Sequence, residues 1–119
     1  METKLKIIVA EGNTILRDNL KDFLAEHGFD VLSMSNGLEA VLFCQRCSDI
    51  DLILMGGTMD MMNGDEAARN IKKIHPKLPI ISTRGKWMSD EEKAIFDACI
   101  RRPFDLTKLL SLVKKTLHV

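Results

Sequence analysis

The feature that most constrains this chain is a repeated alternation of short, nearly unbroken apolar runs with longer stretches whose apolar residues recur every three or four positions. A strand buried on both faces reads as the first pattern and an amphipathic helix as the second. Residues 5–10 form the first apolar run and end at Glu11-Gly12-Asn13. Asn13 has the short polar side chain of an N-cap, and Ile15, Leu16, Leu20, Phe23 and Leu24 then follow at helical spacing to a stop at His27-Gly28. A strand over residues 31–34, a helix over 38–47 and a fully apolar strand over 52–55 continue the alternation. Asn63-Gly64 opens a third helix. Pro76 and Pro79 bracket its end and the start of a strand over 79–83, and Ser89-Asp90-Glu91-Glu92 has the form of a capping box for a fourth helix. A strand over 98–101 meets Pro103, and Leu106, Leu109, Leu110, Val113 and Leu117 mark a closing amphipathic helix. Strand starts recur at roughly 19 to 27 residues, room for the right-handed helical crossover that joins parallel strands. The predicted fold is therefore α/β, a five-stranded parallel sheet with helices on both faces, in a single domain over residues 1–119.

Composition bounds the function. With 119 residues, 45% of them hydrophobic, the chain builds one ordinary core. Its 17 basic and 17 acidic side chains cancel, so no overall field favours nucleic acid or an anionic membrane as partner. No apolar run approaches the roughly 20 residues that span a bilayer, and the N-terminus lacks a signal-peptide pattern, which points to a cytoplasmic protein. Three cysteines, an odd number, suit reduced thiols rather than a disulfide framework.

In open parallel sheets ligands gather outside the carboxyl ends of the strands, where the strand order switches. That rule selects Glu11 and Gly12 after the first strand, Gly56 after the third, Arg84 after the fourth and Arg102 after the fifth. Four segments around these positions, Ile7 through Asn13, Asp51 through Gly64 with its Met59 and Met62-Asn63-Gly64, Pro79-Ile80-Ile81, and Arg102-Pro103-Phe104, together resemble the bacterial response-regulator receiver domain of two-component signalling over essentially the full length. The resemblance implies a flavodoxin-like, doubly wound sheet of order 2-1-3-4-5. It also implies a site with an acidic pair after the first strand, an acceptor aspartate ending the third, a Thr or Ser after the fourth and a Lys before Pro-Phe.

Of that set only Glu11 matches in charge and role. An aspartate attacks phosphorus while Mg²⁺, a hydroxyl and an ammonium group stabilise the charge that develops. Gly56 removes the nucleophile, Gly12 removes a metal ligand, Arg84 replaces the small hydroxyl residue with a long cation, and Arg102 keeps the charge of the Lys but changes its shape. The expected crevice holds one carboxylate and two guanidinium groups, a set that repels a divalent cation. Arg84, Arg102 or both are expected to pair with Glu11, with an inorganic anion between the arginines as an alternative. No cofactor is expected, and Mg²⁺ is not expected to bind well. Asp51 lies about 16 Å back along its strand at roughly 3.3 Å per residue and is no substitute acceptor, whereas Asp60, in the loop, is nearer and reads as a solvated acid.

The aromatic switch position that the family places on the fifth strand falls on Cys99 or its neighbour, with no Tyr or Phe there; Cys99 reads as a small buried hydrophobe, with a place at an interface as the alternative. Cys44 and Cys47 have C-x-x-C spacing but sit inside a helix, away from an N-terminus that would activate a thiol. His27, His75 and His118 lie at helix ends without companion ligands and read as surface or capping residues. Met55, Met59, Met61 and Met62 read as core and loop packing, and Lys72-Lys73 and Lys114-Lys115 as solvated helix faces. Trp87 and Met88, in the loop before the fourth helix, are candidate interface residues, since a lone loop aromatic buries a large area at small entropic cost.

The leading expectation is a non-enzymatic pseudo-receiver that signals through phosphorylation-independent protein contacts, with a histidine kinase, another receiver, an output protein or a second copy in a homodimer as partner, and with no nucleic acid or membrane. One alternative is a working phosphorelay member modified at a non-standard residue. Another is a small-molecule sensor in the flavodoxin-like crevice, although no glycine-rich phosphate loop follows the first strand. The chain reaches Val119 just after its last helix, and no output domain is expected within it.

Overall fold

A computed structural model describes residues 3–84 and 89–119; Trp87 and Met88 lie outside the described residues. The elements follow as β1 (Lys6–Ala10), α1 (Thr14–Glu26), β2 (Asp30–Met34), α2 (Gly37–Arg46), β3 (Leu52–Met55), α3 (Gly64–Ile74), β4 (Ile80–Ser82), α4 (Asp90–Ile95), β5 (Ala98–Cys99) and α5 (Leu106–Leu117). All strand pairs are parallel, in the order β2-β1-β3-β4-β5. This is the expected doubly wound, flavodoxin-like sheet.

The apolar strands serve two cores because successive side chains leave a strand on opposite faces. Ile8, Ala10, Ile53, Met55 and Ile80 meet Ala40, Val41 and Cys44 of α2 and Ala67, Ala68 and Ile71 of α3. Ile7, Val9, Leu52, Leu54 and Ile81 meet Leu20 and Leu24 of α1 and Leu109 and Val113 of α5. With both faces covered, β1, β3 and β4 do not alternate with polar residues, which is why they are nearly unbroken apolar runs, interrupted only by Lys6 at the start of β1 and Ser82 at the end of β4.

Helix ends follow local chemistry. The Asn13 side chain accepts from the Leu16 amide at the start of α1, and Gly28 ends that helix at φ +92°. Ser89 and Glu92 form the anticipated capping box on α4. His27, His75 and His118 are all C-caps, as their positions suggested. Asn63 precedes α3 without a side-chain cap.

Four readings need correction. The fifth strand was expected over 98–101 but spans only Ala98–Cys99, because it is an edge strand with one neighbour, and its pairing ends with the Ile100 amide donating to Ser82 O. Cys99 is exposed rather than buried: Ala98 and Ile100 pack towards the α1/α5 layer, so the pleat turns Cys99 to the other face, which the six-residue α4 leaves open. Lys72 is not a solvated charge, since its ammonium donates to Leu78 O and to Asp97, each at 2.7 Å. Met55 and Met59 are buried and Met62 packs on the core, but Met61 is 77% exposed at φ +67° in the β3–α3 loop.

Candidate functional site

The sheet order reverses between β1 and β3, so the ends of these strands and of β4 surround one crevice. Its registers place the sequence-selected residues together: Ala10 pairs with Met55 at the last rung of β1 and β3, the Gly56 amide donates to Ala10 O at 2.8 Å, and the Thr83 amide donates to Met55 O at 2.9 Å. Glu11, Gly57, Thr58, Asn63, Asp65, Arg84 and Arg102 line a cavity of about 270 Å³. At the opposite end of the sheet, Asp51 accepts the Lys6 amide at 2.7 Å and is removed from this chemistry.

Glu11 is 5% exposed and fully engaged. Its Oε2 accepts the Asn13 amide at 2.9 Å and its Oε1 accepts Arg102 Nη2 at 2.7 Å. Arg102 Nε donates to Thr83 O at 3.0 Å, so two separate nitrogens of the flat guanidinium join the end of β1 to the end of β4, a fixed fork that a single ammonium nitrogen on a flexible stem does not offer. Of the two arginines proposed as partners of Glu11, Arg102 fills the role.

Arg84 does something else. Its Nη1 donates to Asp65 Oδ2 at 3.1 Å and to Glu92 Oε2. Glu92 divides its labour: Oε1 accepts from Ser89 in the capping box, leaving Oε2 for the arginine. Arg84 thereby ties the first turn of α3 to α4. Asp65 and Glu92 escaped the sequence reading because each has a sufficient local explanation, as acids in the first turn of a helix. The signal available was a long cation at the mouth of β4 with two such turns within reach.

These two acids correct the expected charge. Among the described residues, the crevice and its rim hold three ion-paired carboxylates (Glu11, Asp65, Glu92) against the two guanidiniums that pair them (Arg84, Arg102), not one against two. Net positive charge is therefore no argument against a divalent cation. What opposes one is that every one of these carboxylates is already bonded to an arginine.

Gly56 is closed over rather than left as a gap. A Cβ there would stand 2.8 Å from Glu11 Oε1 and 3.2 Å from Ala10 O, and one on Gly57 would stand 2.9 Å from Arg84 Cγ, so the glycines let the two ion-paired side chains lie against the backbone. Gly12 differs, because its Cβ would meet Thr58 O at an ordinary 3.4 Å. Asp60 is exposed in the β3–α3 loop, as a solvated acid would be.

Burial disfavours the charged form of Glu92, but the hydrogen bonds from Ser89 and the charge of Arg84 outweigh it and hold the carboxyl below its ordinary value of 4.5. A depressed folded-state value means that the stability Glu92 contributes is present above pH 4.5 and is lost as the pH falls through the lower value. A Glu92→Gln variant is expected to unfold at lower urea than the parent at neutral pH, with the gap closing as the pH falls below the ordinary carboxyl value of 4.5. A gap that does not narrow at all on acidification would mean the charge plays no part. Away from the crevice, burial pushes the Cys44 thiol up to about 11, and Cys47 is the C-cap of α2, a pairing suited to packing rather than reactivity.

A family model described as the response regulator receiver domain matches residues 7–114. Chemotaxis protein CheY of Bacillus subtilis (strain 168) is 31% identical over 118 residues, covering 95% of this chain and 98% of that one. A probable transcriptional regulator ycf29 of Pyropia yezoensis is 30% identical over 91% of this chain, which spans only 51% of that relative's length. Among solved structures, the magnesium-bound receiver domain of a sensor histidine kinase from Pseudomonas aeruginosa PAO1 superposes with a TM-score of 0.88 at 20% identity, over 98% of this chain and 100% of that one, a likeness of fold alone. The signal receiver domain of a signal transduction histidine kinase from Syntrophus aciditrophicus gives 0.83 at 26% identity, over 95% of this chain and 89% of that one. Since the family match runs from within β1 into α5 and takes in every strand mouth that forms the crevice, the chain belongs to the response regulator receiver domain family of two-component signalling.

Proposed function

We propose that this receiver domain signals without accepting a phosphoryl group, through a standing protein contact. The observation that carries the reading is Gly56 at the end of β3: it offers no nucleophile, and the neighbouring carboxylate Glu11 is held by Arg102 at 2.7 Å. Phosphoryl transfer to an aspartate needs an oxygen poised for attack and a metal to offset the charge that develops. The donor set does not fit Mg²⁺, which demands near-octahedral oxygen ligation. Glu11, Asp65 and Glu92 are each committed to a guanidinium, and among the described residues no group of three or more His, Cys, Asp or Glu is placed to hold a metal ion.

With the ion pairs built in, the crevice has one electrostatic state and the domain is a constitutive binding module for a histidine kinase, another receiver, an output protein or a second copy. The partner class fits the relatives, among them an autoinducer 1 sensor kinase/phosphatase LuxN of Vibrio harveyi and the DNA-binding transcriptional regulator NtrC of Rhizobium meliloti, although this chain spans only 12% and 24% of their lengths. A cytoplasmic location goes with this reading; among the described residues no helix is long and apolar enough to cross a membrane.

Incubation of the protein with acetyl phosphate and Mg²⁺, followed by intact-mass measurement, tests the proposal. No base-labile addition of about 80 Da, the order of one phosphoryl group, is expected. A stoichiometric adduct would overturn it, and peptide mapping to Asp60 would identify a working phosphorelay member instead.

A further inference from the structure

The geometry points to the cleft between α3 and α4 as a docking site for an acidic, amphipathic segment of a protein partner. This deepens the reading of the domain as a binding module and rests on that reading for its purpose. The cleft has a volume of about 530 Å³ and lies outside the crevice, with no residue in common. That volume is in the range of cavities that admit a small ligand or a few side chains.

One wall is cationic. Arg69, Lys72 and Lys73 share a flank of α3 because residues three and four apart lie on the same helix face. Lys72 is committed to Asp97 and Leu78 O. Arg69 and Lys73 are exposed, and among the described residues neither side chain has a hydrogen bond or ion pair. The lining therefore sets three cations against the single acid Asp97, although the whole chain has a formal net charge of +0. The other wall is apolar, formed by Ala94 and by Ile95, which packs on the α2/α3 core. Carboxylates on one side of a bound segment match the first wall, and an apolar side chain on its other side matches the second.

Two ties bracket the cleft. Arg84 joins Asp65 of α3 to Glu92 of α4, and Lys72 of α3 joins Asp97, just beyond α4, whose Oδ2 also takes the Ile80 amide at 2.8 Å. The walls are thus set before a partner arrives, which lowers the ordering cost of binding. The crevice arginine that replaces the family's small hydroxyl residue is in this way also a strut of the docking surface. A nucleic acid fits less well: two uncommitted cations neutralise few phosphates, and nucleic-acid affinity grows with the number neutralised.

The test uses the unphosphorylated full chain and a blocked 12-residue peptide of Glu and Asp interspersed with Leu and Phe. In a ¹⁵N-correlated NMR titration, shift changes are expected to gather on α3 and α4. Charge reversal of the wall in Arg69→Glu/Lys73→Glu is expected to weaken binding at least about tenfold, as for the loss of two surface ion pairs. The matched reversal Lys114→Glu/Lys115→Glu on α5 is expected to leave binding unchanged. Both double variants alter exposed side chains, and retained thermal midpoints would confirm that they fold. Shifts that map elsewhere, equal loss in both variants, or equally tight binding of a 12-nucleotide single strand at the same salt would each overturn the proposal. Since phosphoryl acceptance is read separately by mass, failure of the cleft is distinguishable from failure of the proposed function.

Discussion

Gly64→Ala is expected to destabilise the domain by about 3 kcal/mol or more, the upper range for overpacking a rigid site. A Cβ at this position would stand 1.8 Å from Gly56 O, 3.0 Å from the Gly56 carbonyl carbon and 3.0 Å from Met55 Cγ. The nearest of these is backbone, so no rotamer change relieves the overlap. Gly56 is held by its own amide, donating to Ala10 O at 2.8 Å, and Gly64 by its amide, donating to Gly57 O at 2.8 Å. Relief requires α3 to retreat from the sheet, and α3 buries Ala67, Ala68 and Ile71 in the core. Against the 5–15 kcal/mol typical of a whole domain, a loss of about 3 kcal/mol is roughly a fifth to three-fifths of the total stability. Urea denaturation followed by circular dichroism measures it, with Gly12→Ala as control, because a Cβ there meets its nearest neighbour at 3.4 Å. If the two variants unfold together, the close approach of α3 to the mouth of β3 is not a constraint.

Arg102→Ala is expected to cost about 1–2 kcal/mol. Removing one partner of a buried ion pair usually costs about 3–5 kcal/mol, but the Arg102 side chain is 40% exposed, and water takes over part of its role. The Glu11 carboxylate keeps the Asn13 amide and loses its only ion pair among the described residues, while Thr83 O loses the Nε donor. Arg102→Lys is expected to recover a minority of the loss, because one ammonium on a flexible stem does not reproduce the guanidinium's two-point contact. The same denaturation experiment separates the cases: full recovery with Lys would show that charge alone matters, and no loss with Ala would show that Glu11 is satisfied by backbone and water.

Arg102 is ion-paired to Glu11, and Arg84 to Asp65 and Glu92. Arg84 also sets α4 against α3, so the crevice and the cationic cleft share one structural member.

Legibility in the sequence varied with the range of the interaction. The strands over Lys6–Ala10 and Leu52–Met55 and the caps at Asn13 and Ser89 were readable because each depends on neighbours a few residues away. β5 was overextended because an edge strand ends where its single neighbour stops pairing, and that is not written locally. Cys99 was placed on the wrong side of burial for the same reason, since exposure on an edge depends on whether a helix crosses it.

The sequence by itself determined the alternation of strand and helix, the strand mouths at which Glu11, Gly56, Arg84 and Arg102 stand, and the absence of a side chain at Gly56. Periodicity and residue identity are properties of short stretches, so they survive without coordinates. Only the tertiary structure decided which arginine meets which acid: Arg102 reaches Glu11 across 91 positions of chain, while Arg84 turns to Asp65 and Glu92. Ion pairing depends on side-chain reach between elements that the sheet order brings together, a distance set by folding and not by spacing along the chain.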